Sequence, residues 1–370
     1  MKESKIMGER MRKQDVTLKD ISRVLNVSST TVHRALYGKE GISSDLRKKI
    51  IQTANEMGYR LNYAASSMKR KTNRIAVILP TRKESGSMYF IHLWKGYRDY
   101  LSEISSLNIV ADEFEVEEEE EQIQILKGIA DNGGEAYQGI LTFAYTRMPE
   151  VIVQYTRLTA KNIPVMVLDD QENDIEGLYS ITPSSETLGN LCAEFLALTT
   201  SKAGTIIISG GRLNSKTHQE IKKNFQTYLH KVSSQIKVVE TRPYVEKENI
   251  TEVYQQFRQK FETISDIIGV FAISSRDNDE LVRALTDTGC IGKFRVVGSD
   301  LYGKSAEYLK KGIFDAILYK SAYEKGCTAT RILTDCMIKQ IIPQKNTACP
   351  VNLIFKSNLS FYEDIINLQE

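Results

Sequence analysis

The pattern of hydrophobic and polar positions changes near residue 74 and divides the chain into two parts. Before residue 74, apolar residues recur at helical spacing in three short segments, as in TLKDISRVLN, where Leu18, Ile21 and Leu25 share one face. After it, helix-length segments alternate with continuous apolar runs, which are RIAVILP, QGILTFA, IPVMVLDD, GTIIISGG, DIIGVFAIS and FRVVGSD. Such runs are typical of parallel strands whose sheet is covered on both faces by helices. The pattern predicts an α/β protein with a small all-α unit followed by two lobes, each a doubly wound parallel sheet.

Capping residues mark the ends of the three helices that the first part predicts. Thr17 precedes the first helix and Asp20 follows three residues later, which is the spacing of a capping box. Ser28 can cap a second helix that ends before Gly38, and Ser43 can cap a third. Helix, short turn and helix is the arrangement that lays its second helix in the major groove of DNA. The first part therefore predicts a helix-turn-helix.

The second predicted helix has one apolar side and one polar side. Its apolar side includes Val32, Ala35 and Leu36. Its polar side consists of Ser29, Thr30, His33 and Arg34. Hydroxyl and guanidinium groups can bond to base edges and phosphates, as a surface that enters a groove requires. The solvated face of an ordinary helical bundle is the alternative, and the polar residues alone leave it open.

The basic charge of the chain is concentrated near its beginning. Residues 1–74 contain 17 Lys and Arg against 7 Asp and Glu, a net charge of +10. The remaining residues contain 32 against 40, a net charge of −8, so the chain as a whole has a net charge of only +2. A cationic unit on a mildly acidic body indicates binding to a polyanion at one end, which favours DNA for the polar helix face.

The segment LNYAASSMKRKTNR has two interpretations. It has few large apolar residues and a basic end, as a linker does. Alternatively, Asn62 caps a helix that forms only when two chains meet on DNA and press Met68 into the minor groove.

Residues 16–72 resemble the DNA-binding headpiece of the lactose-repressor (LacI/GalR) family of bacterial transcriptional regulators. The resemblance rests on the order of the elements and on the motifs V-S-x-x-T-V, I-S and G-Y-x-x-N. It implies contacts with bases for Ser29, Thr30 and Arg34. It implies positions near phosphates for Ser28, Thr31 and His33, where His33 replaces the serine common in the family. It implies that Met68 replaces the family's leucine wedge, and it adds Thr17, Asn62, Tyr63 and Ala65 to the residues that contact DNA.

Composition restricts the remaining possibilities. The 370 residues are 41% hydrophobic and 26% charged, and no apolar run reaches the ~20 residues of a membrane helix. The polar MKESKIMGER lacks the apolar centre of a secretory signal, so we expect a cytoplasmic protein that does not bind membranes. Five cysteines without CxxC spacing favour buried thiols over disulfides or zinc. The motifs GxSxG and HExxH do not occur, and we expect no cofactor, no metal and no catalytic residue.

Ligands of doubly wound sheets collect at the carboxyl ends of the strands, and this rule nominates the residues that follow each apolar run. They are Tyr145, Asp169, Asp170, Arg212, Ser274, Ser275, Arg276, Asp300 and Lys320. Three aromatic residues after the first run, Tyr89, Phe90 and Trp94, either pack in the core or stack on a sugar. His218 either reaches the same edge or caps a surface helix. Carboxylates, arginines and aromatic rings together fit a polyhydroxylated ligand.

The second part resembles the periplasmic sugar-binding fold that the same family uses as its effector domain, a type I periplasmic-binding-protein-like architecture. The resemblance implies that Tyr89 and Phe90 stack on the ligand and that Asp169, Asp170 and Asp300 contact it. This sequence departs from the family at three places, which are Ser274–Ser275 for an Asn-Asp pair, Ile221 for an arginine and Lys320 for a glutamine. We hypothesise that Lys320 holds a carboxylate or phosphate of the ligand.

These patterns predict four segments. They are a flexible tail (1–13), a helix-turn-helix DNA-binding domain (14–60), a hinge helix or linker (61–73) and a two-lobed domain for effector binding and dimerisation (74–370). We expect the chain to cross between lobes after LDDQENDIEG. The first lobe would then comprise about 74–171 and 317–343, and the second about 172–316 and 344–362.

The predicted function is that of a sequence-specific transcriptional regulator, most simply a repressor of sugar-utilisation genes. Two chains, or four, would bind a pseudo-palindromic operator in double-stranded DNA, and a sugar-like effector between the lobes would control that binding. One alternative replaces the sugar by a protein co-regulator. Others are an enzyme or transport receptor on the same fold, and a basic protein that coats DNA without sequence preference.

Overall fold

The computed structural model describes residues 16–36, 41–59, 72–82, 88–132, 136–143, 149–169, 175–201, 203–213, 215–244 and 251–367. The chain forms two compact units that divide between Lys71 and Thr72. The first is called the headpiece and the second the body.

The described part of the headpiece consists of three helices around a small core. They are α1 (Leu18–Leu25), α2 (Ser29–Leu36) and α3 (Ser44–Glu56). The fully buried core consists of Ile21, Val32, Ala35, Ile50 and Ala54. A helix-turn-helix is therefore present, as the spacing of apolar positions predicts.

Hydrogen bonds at the helix starts confirm the predicted caps. Thr17 N donates to Asp20 Oδ2 at 2.9 Å and Asp20 N donates back to Thr17 Oγ1, which completes the capping box of α1. Ser28 Oγ accepts from Thr31 N at 3.0 Å at the start of α2. Asn26, in the turn between the helices, has a φ of 51°, a left-handed conformation that asparagine tolerates well.

The body contains two sheets, and the bounds of its elements follow in chain order. The strands of the first sheet are β1 (Asn73–Pro80), β2 (Ile109–Val116), β3 (Gly139–Phe143), β4 (Val165–Leu168), β5 (Leu178–Pro183) and β11 (Asn346–Cys349). The strands of the second are β6 (Gly204–Ile208), β7 (Ile236–Glu240), β8 (Ile267–Phe271), β9 (Arg295–Ser299), β10 (Ala316–Tyr319) and β12 (Asn352–Ile354). The helices are α4 (Met88–Glu103), α5 (Glu119–Asp131), α6 (Pro149–Thr159), α7 (Ser185–Thr199), α8 (Lys216–Val232), α9 (Thr251–Thr263), α10 (Ser275–Asp287), α11 (Gly303–Lys311), α12 (Ala322–Lys339) and α13 (Glu363–Ile366).

Each sheet has the strand order of a doubly wound lobe. In the described chain the first sheet runs β11-β5-β4-β3-β1-β2 and is parallel throughout. The second runs β12-β10-β9-β8-β6-β7, and only β12 is antiparallel to its neighbour. Both sheets therefore present the carboxyl ends of several strands at one edge, where ligands of such folds bind.

All six apolar runs that the sequence indicates as strands are strands, namely β1, β3, β4, β6, β8 and β9. The other six strands in the described chain lack such a run. β2 and β7 are edge strands, so part of each is exposed and polar, as in IVADEFEV. β5 carries Ser180 and Thr182 among its buried positions, and β10, β11 and β12 are only three or four residues long.

The structure corrects the expected crossings between the lobes. β5 pairs with β4 and β11 in the first sheet, so the chain leaves the first lobe after Pro183 rather than after residue 171. β10 belongs to the second sheet and β11 to the first, which reverses the expected placement of 317–343 and 344–362 for these two strands. Hydrophobicity indicates that a strand is buried, but the backbone pairing that selects its sheet leaves no mark on so short a sequence.

Helix α12 follows β10 but packs against α4 in the first lobe. A Cβ on Gly96 of α4 would lie 2.0 Å from the carbonyl oxygen of Tyr323, and one on Gly326 of α12 would lie 2.3 Å from that of Leu93. The two glycines therefore allow the helix backbones to approach closely. No helix in the described ranges is long and apolar enough to span a membrane.

Candidate functional site

The polar side of α2 is the candidate DNA-contacting surface of the headpiece. Thr30 and Arg34, one helical turn apart, are both exposed, and His33 beside them is half-buried. Ser29 Oγ donates to Ser22 Oγ of α1 at 3.3 Å, so part of the hydroxyl surface is fixed by contacts within the headpiece. Ser28 and Thr17 cap their helices, and Thr31 is bonded to Ser28 through its hydroxyl at 2.8 Å. The predicted contacts Asn62, Tyr63, Ala65 and Met68 lie outside the described residues.

In the body, Tyr89, Asp169 and Lys325 form a hydrogen-bonded group at the carboxyl edge of the first sheet. Lys325 Nζ donates to Tyr89 Oη and to Asp169 Oδ1, and Tyr89 Oη donates to Asp169 Oδ2. The side chain of Lys325 is 0% exposed and that of Asp169 is 10% exposed. A buried ammonium is tolerated only with such compensation. Burial, reinforced by Asp169, raises the pKa of Tyr89 well above its usual value, so the hydroxyl keeps its proton.

Lys325 was not among the residues that the sequence nominates. It lies in the first turn of α12, away from any strand end, on a buried face that also includes Ala322, Ala329 and Leu333. A single charge within that apolar stripe is the signal that could have identified it.

Aromatic rings continue this edge of the first lobe. The ring centroid of Phe90 lies 5.5 Å from that of Tyr89 and 5.3 Å from that of Phe143, at the end of β3. Trp94 lies elsewhere, because its ring is buried in the core and its Nε1 donates to Pro80 O at 2.8 Å. Of the two interpretations of these aromatic residues, Trp94 therefore fits core packing. Tyr145 and Asp170 lie outside the described residues.

The second lobe contributes Asp300 and Lys320 from the ends of β9 and β10. Lys320 Nζ donates to Asp300 Oδ2 at 3.2 Å and to Ile273 O at 2.9 Å, and Ser275 N donates to Asp300 Oδ2 at 3.2 Å. Both side chains are below 10% exposed. The ammonium of Lys320 is therefore already committed to a carboxylate and a carbonyl.

Tyr89 connects the two lobes. Lys320 Nζ of the second lobe lies 5.7 Å from the centroid of its ring, and Lys325 Nζ lies 5.0 Å from it, both within the range of cation–π attraction. Tyr89, Asp169, Lys325, Asp300 and Lys320 are together called the cleft network. Its two ammonium groups are balanced by its two carboxylates.

A second group, called the cationic corner, consists of Arg212, His218, Tyr244, Ser274 and Arg276 at the ends of β6, β7 and β8. Tyr244 Oη donates to Ser274 Oγ at 3.1 Å, and the guanidinium of Arg276 lies 5.2 Å from the centroid of the Tyr244 ring. The main chain of Arg212 forms a parallel bridge with Tyr244. His218 Nδ1 accepts from Arg212 N at 3.0 Å, so His218 belongs to this edge and does not merely cap α8. Burial and the nearby cations Lys320, Arg212 and Lys222 hold the pKa of His218 well below its usual value.

Asp277 lies beneath the cationic corner, in the first turn of α10. Ser209 Oγ donates to its Oδ2 at 2.6 Å, and its Oδ1 has no hydrogen-bond partner among the described residues. Asp277 is only 1% exposed, and burial raises the pKa of its carboxyl group to about 6. Sequence reasoning nominated Ser274, Ser275 and Arg276 and missed Asp277, the next residue, whose buried position depends on the rotation of α10. The described ranges contain no group of His, Cys and carboxylate side chains that could hold a metal ion.

Comparisons with known proteins agree with this division. The profile described as "Bacterial regulatory proteins, lacI family" matches residues 17–62, and that described as "Periplasmic binding protein domain" matches residues 75–340. Catabolite control protein A of Staphylococcus xylosus is 21% identical over 347 residues, which cover 92% of this chain and 98% of that protein. The HTH-type transcriptional regulator RegA of Clostridium saccharobutylicum is 26% identical over 176 residues, which cover 45% of this chain and only half, 50%, of that relative. A solved structure of an ABC-transporter solute-binding protein from Burkholderia graminis in complex with D-arabinose has a TM-score of 0.69 at 18% identity, covering 79% of this chain and 99% of that one.

Proposed function

Because the chain belongs to the lacI family of bacterial regulatory proteins and its headpiece is followed in sequence by a periplasmic binding protein domain, we propose that it is a repressor that a saccharide-like effector controls. The observation that carries the effector assignment is the cleft network. Carboxylates, ammonium groups and a tyrosine from both lobes meet at the carboxyl ends of the strands, beside the ring of Phe90. Such groups bond to vicinal hydroxyls and cover the apolar face of a sugar ring. The fold is shared with a protein that holds D-arabinose, which supports the same class of ligand.

We propose that two chains bind a pseudo-palindromic operator through α2. Exposed Thr30 and Arg34 supply a hydroxyl and a guanidinium at one helical turn from each other, and a guanidinium can bond bidentately to guanine. Two such headpieces on a two-fold axis select half-sites about one turn of DNA apart. Lobe movement would be transmitted to the headpiece through residues 61–73, of which 61–71 lie outside the described residues.

Effector and operator would be coupled through the body. An effector that weakens operator binding by about 1–3 kcal/mol must itself bind the DNA-bound protein less tightly by the same amount. Asp169 and Asp300 belong to opposite lobes. An effector that bonds to both would therefore make contacts that depend on how the lobes are arranged.

The test begins with selection of DNA sequences by the full-length protein from a random pool, followed by titration of the selected duplex. We expect a two-fold symmetric sequence, with Arg34→Ala costing about 1–3 kcal/mol at the selected site and little on unrelated duplexes. Arg283→Ala in α10 is the matched control and should leave both affinities unchanged. Equal affinity for all duplexes, lost uniformly as salt rises, would instead identify a DNA-coating protein.

The effector assignment is tested by adding saccharides during titration of the operator complex. A saccharide that shifts operator affinity in wild type but not in Asp300→Asn supports the proposal. Calorimetry without DNA should then show that the same saccharide binds the wild-type body. If operator binding responds only to a protein partner and no saccharide binds, a protein co-regulator replaces the sugar.

A further inference from the structure

The ammonium group of Lys320 contacts both lobes of the body. Lys320 follows β10 of the second lobe, where its Nζ donates to Asp300 Oδ2 at 3.2 Å and to Ile273 O at 2.9 Å. The same Nζ lies 5.7 Å from the ring centroid of Tyr89, which belongs to α4 of the first lobe. A cation within about 6 Å of an aromatic centroid is attracted by the electron-rich face of the ring. A charge of the second lobe therefore attracts a residue of the first.

Burial strengthens this contact between the lobes. The side chain of Lys320 is 9% exposed and that of Asp300 is 8% exposed, and Tyr89 is half-buried. Burial raises the pKa of Tyr89, and the carboxylates of Asp169 and Asp300 add to that rise, so Asp300 too is close to the tyrosine. Ion pairing and cation–π attraction both grow as water is excluded. The ammonium group thus lies in a largely dehydrated space between a carboxylate of one lobe and a ring of the other.

Tyr89 is fixed by its own lobe. Its Oη donates to Asp169 Oδ2 and accepts from Lys325 Nζ. Its ring centroid lies 5.5 Å from that of Phe90, in an edge-to-face arrangement. Because the ring is held by the first lobe and Lys320 is bonded to the second, the lobes can separate at this edge only if Lys320 and Tyr89 part.

The same ammonium group occupies an acceptor that the effector needs. Asp300 Oδ2 accepts from Ser275 N at 3.2 Å as well as from Lys320, and two donors use both lone pairs of one carboxylate oxygen. An effector hydroxyl that bonds to Asp300 Oδ2 must therefore replace the ammonium group. Asp169 differs, because its partner Lys325 belongs to the first lobe and stays paired with it wherever the second lobe lies.

We propose that Lys320 is a latch between the lobes, which holds Asp300 against Tyr89 and which the effector displaces when it binds. Displacement releases the second lobe from Tyr89, so the effector changes the arrangement of the lobes by removing a contact that the chain makes with itself. The competition with the effector rests on the proposed function, whereas the latch itself can be tested without a sugar. The latch replaces the hypothesis that Lys320 holds an anion of the ligand, because its ammonium group already donates to Asp300 and to Ile273 O.

The latch is tested by hydroxyl-radical footprinting of the full-length protein, read by mass spectrometry, with no sugar added. Lys320→Met keeps the apolar stem and removes the ammonium group. We expect Tyr89 and Phe90 of the first lobe to be oxidised at least 3-fold faster than in wild type, because the lobes separate at this edge. Tyr254, in the core of the second lobe, is the internal reference and should not change. Lys304→Met removes an exposed lysine of the second lobe and is the matched control.

A second variant covers the case in which Lys320→Met also exposes Tyr254. Lys320→Gln keeps a hydrogen-bond donor for Asp300 and Ile273 O but has no charge to place against the ring of Tyr89. It should therefore expose Tyr89 to oxidation while the second lobe stays folded.

The competition is tested by calorimetry on the same proteins with D-glucose, D-galactose, D-ribose and D-glucuronate at constant ionic strength. A sugar that binds should bind Lys320→Met at least 10-fold more tightly than wild type, since it no longer has to displace the ammonium group. Lys304→Met should match wild type within 3-fold. D-glucuronate tests the earlier hypothesis, because a lysine that held the anion of the ligand would make the variant bind it more weakly.

The possible results separate the latch from the proposed function. If Tyr89 and Phe90 are oxidised at the wild-type rate in both Lys320 variants, the latch is wrong. If a sugar binds wild type but binds Lys320→Met equally or more weakly, Lys320 does not compete with the effector and the inference is wrong, although the saccharide effector stands. If no sugar binds any of the proteins while Tyr89 becomes exposed in the variants, the latch stands and the saccharide effector is wrong.

Discussion

The two halves of the cleft network solve the problem of buried charge differently. In the first lobe, the fully buried Lys325 satisfies Asp169 and Tyr89 in a closed group of three side chains. In the second lobe, Lys320 bonds to Asp300, while the nearby Asp277 has a buried oxygen without a hydrogen-bond partner in the described chain. A closed group satisfies the charges that it buries, whereas a buried polar atom without a partner costs the folded protein free energy. The group of Tyr89, Asp169 and Lys325 is therefore closed, whereas the edge of the second lobe has a buried carboxylate oxygen that the described chain does not compensate.

The largest effect should come from opening the closed group. Lys325→Met leaves the Asp169 carboxylate buried without its counter-charge, and we expect a loss of about 3–5 kcal/mol in the free energy of unfolding of the body. Urea denaturation measures it. Lys304→Met removes an exposed partner of Asp279 and should cost less than about 1 kcal/mol.

The double variant Lys325→Met with Asp169→Asn removes both charges and should recover most of that loss. A double variant as unstable as the single one would mean that Lys325 stabilises by packing rather than by charge.

The next effect concerns Asp277 and depends on pH. Its folded pKa of about 6 is raised above the ordinary value, so the folded protein holds this proton more tightly than the unfolded chain. The contribution of this proton to the free energy of unfolding is fully present below about pH 4. It is lost as pH rises through 6, and the total loss is about 2–3 kcal/mol.

Asp277→Asn has no ionisable group there and should lack this decline. Thermal unfolding of both proteins between pH 4 and 8 measures the difference, and it should grow with pH in favour of the variant. Parallel profiles would show that Asp277 does not carry the proton.

Lys320→Met should have a smaller effect than Lys325→Met. Asp300 loses one charged donor but keeps the main-chain donor Ser275 N, and the side chain of Lys320 is 9% exposed whereas that of Lys325 is fully buried, so we expect a loss of about 2 kcal/mol. Denaturation in urea again measures the change. A loss as large as that of Lys325→Met would remove the contrast between the two lobes.

The smallest effect on stability should come from Arg276→Gln. The half-buried guanidinium contributes a cation–π contact with Tyr244, which is worth about 0.5–1 kcal/mol. Unfolding measured without ligand should therefore change little. A large loss of stability would place Arg276 with the residues that hold the fold.

The ends of the central strands and the helix caps can be predicted from the sequence because each depends on local chemistry. Continuous apolar runs marked the central strands, and the rule of carboxyl ends located Asp169, Asp300, Lys320 and the arginines of the corner. Lys325 and Asp277 cannot be predicted in this way, because each lies within a helix whose rotation brings it to the carboxyl edge of a sheet. The sheet to which β5, β10 and β11 belong depends on backbone pairing, which joins Asn346 of β11 to the distant Ser180 of β5 and which hydrophobicity does not encode.

The path from β10 to α12 has a mechanical consequence. Lys320 ties its beginning to one lobe through Asp300, and Lys325 ties its other end to the opposite lobe through Asp169. At this crossing, torsion between the lobes is confined to the four residues in between, where Ser321 already has a φ of 54°. A serine is strained in that conformation and a glycine is not, so Ser321→Gly should soften this pivot without altering a single ionic contact.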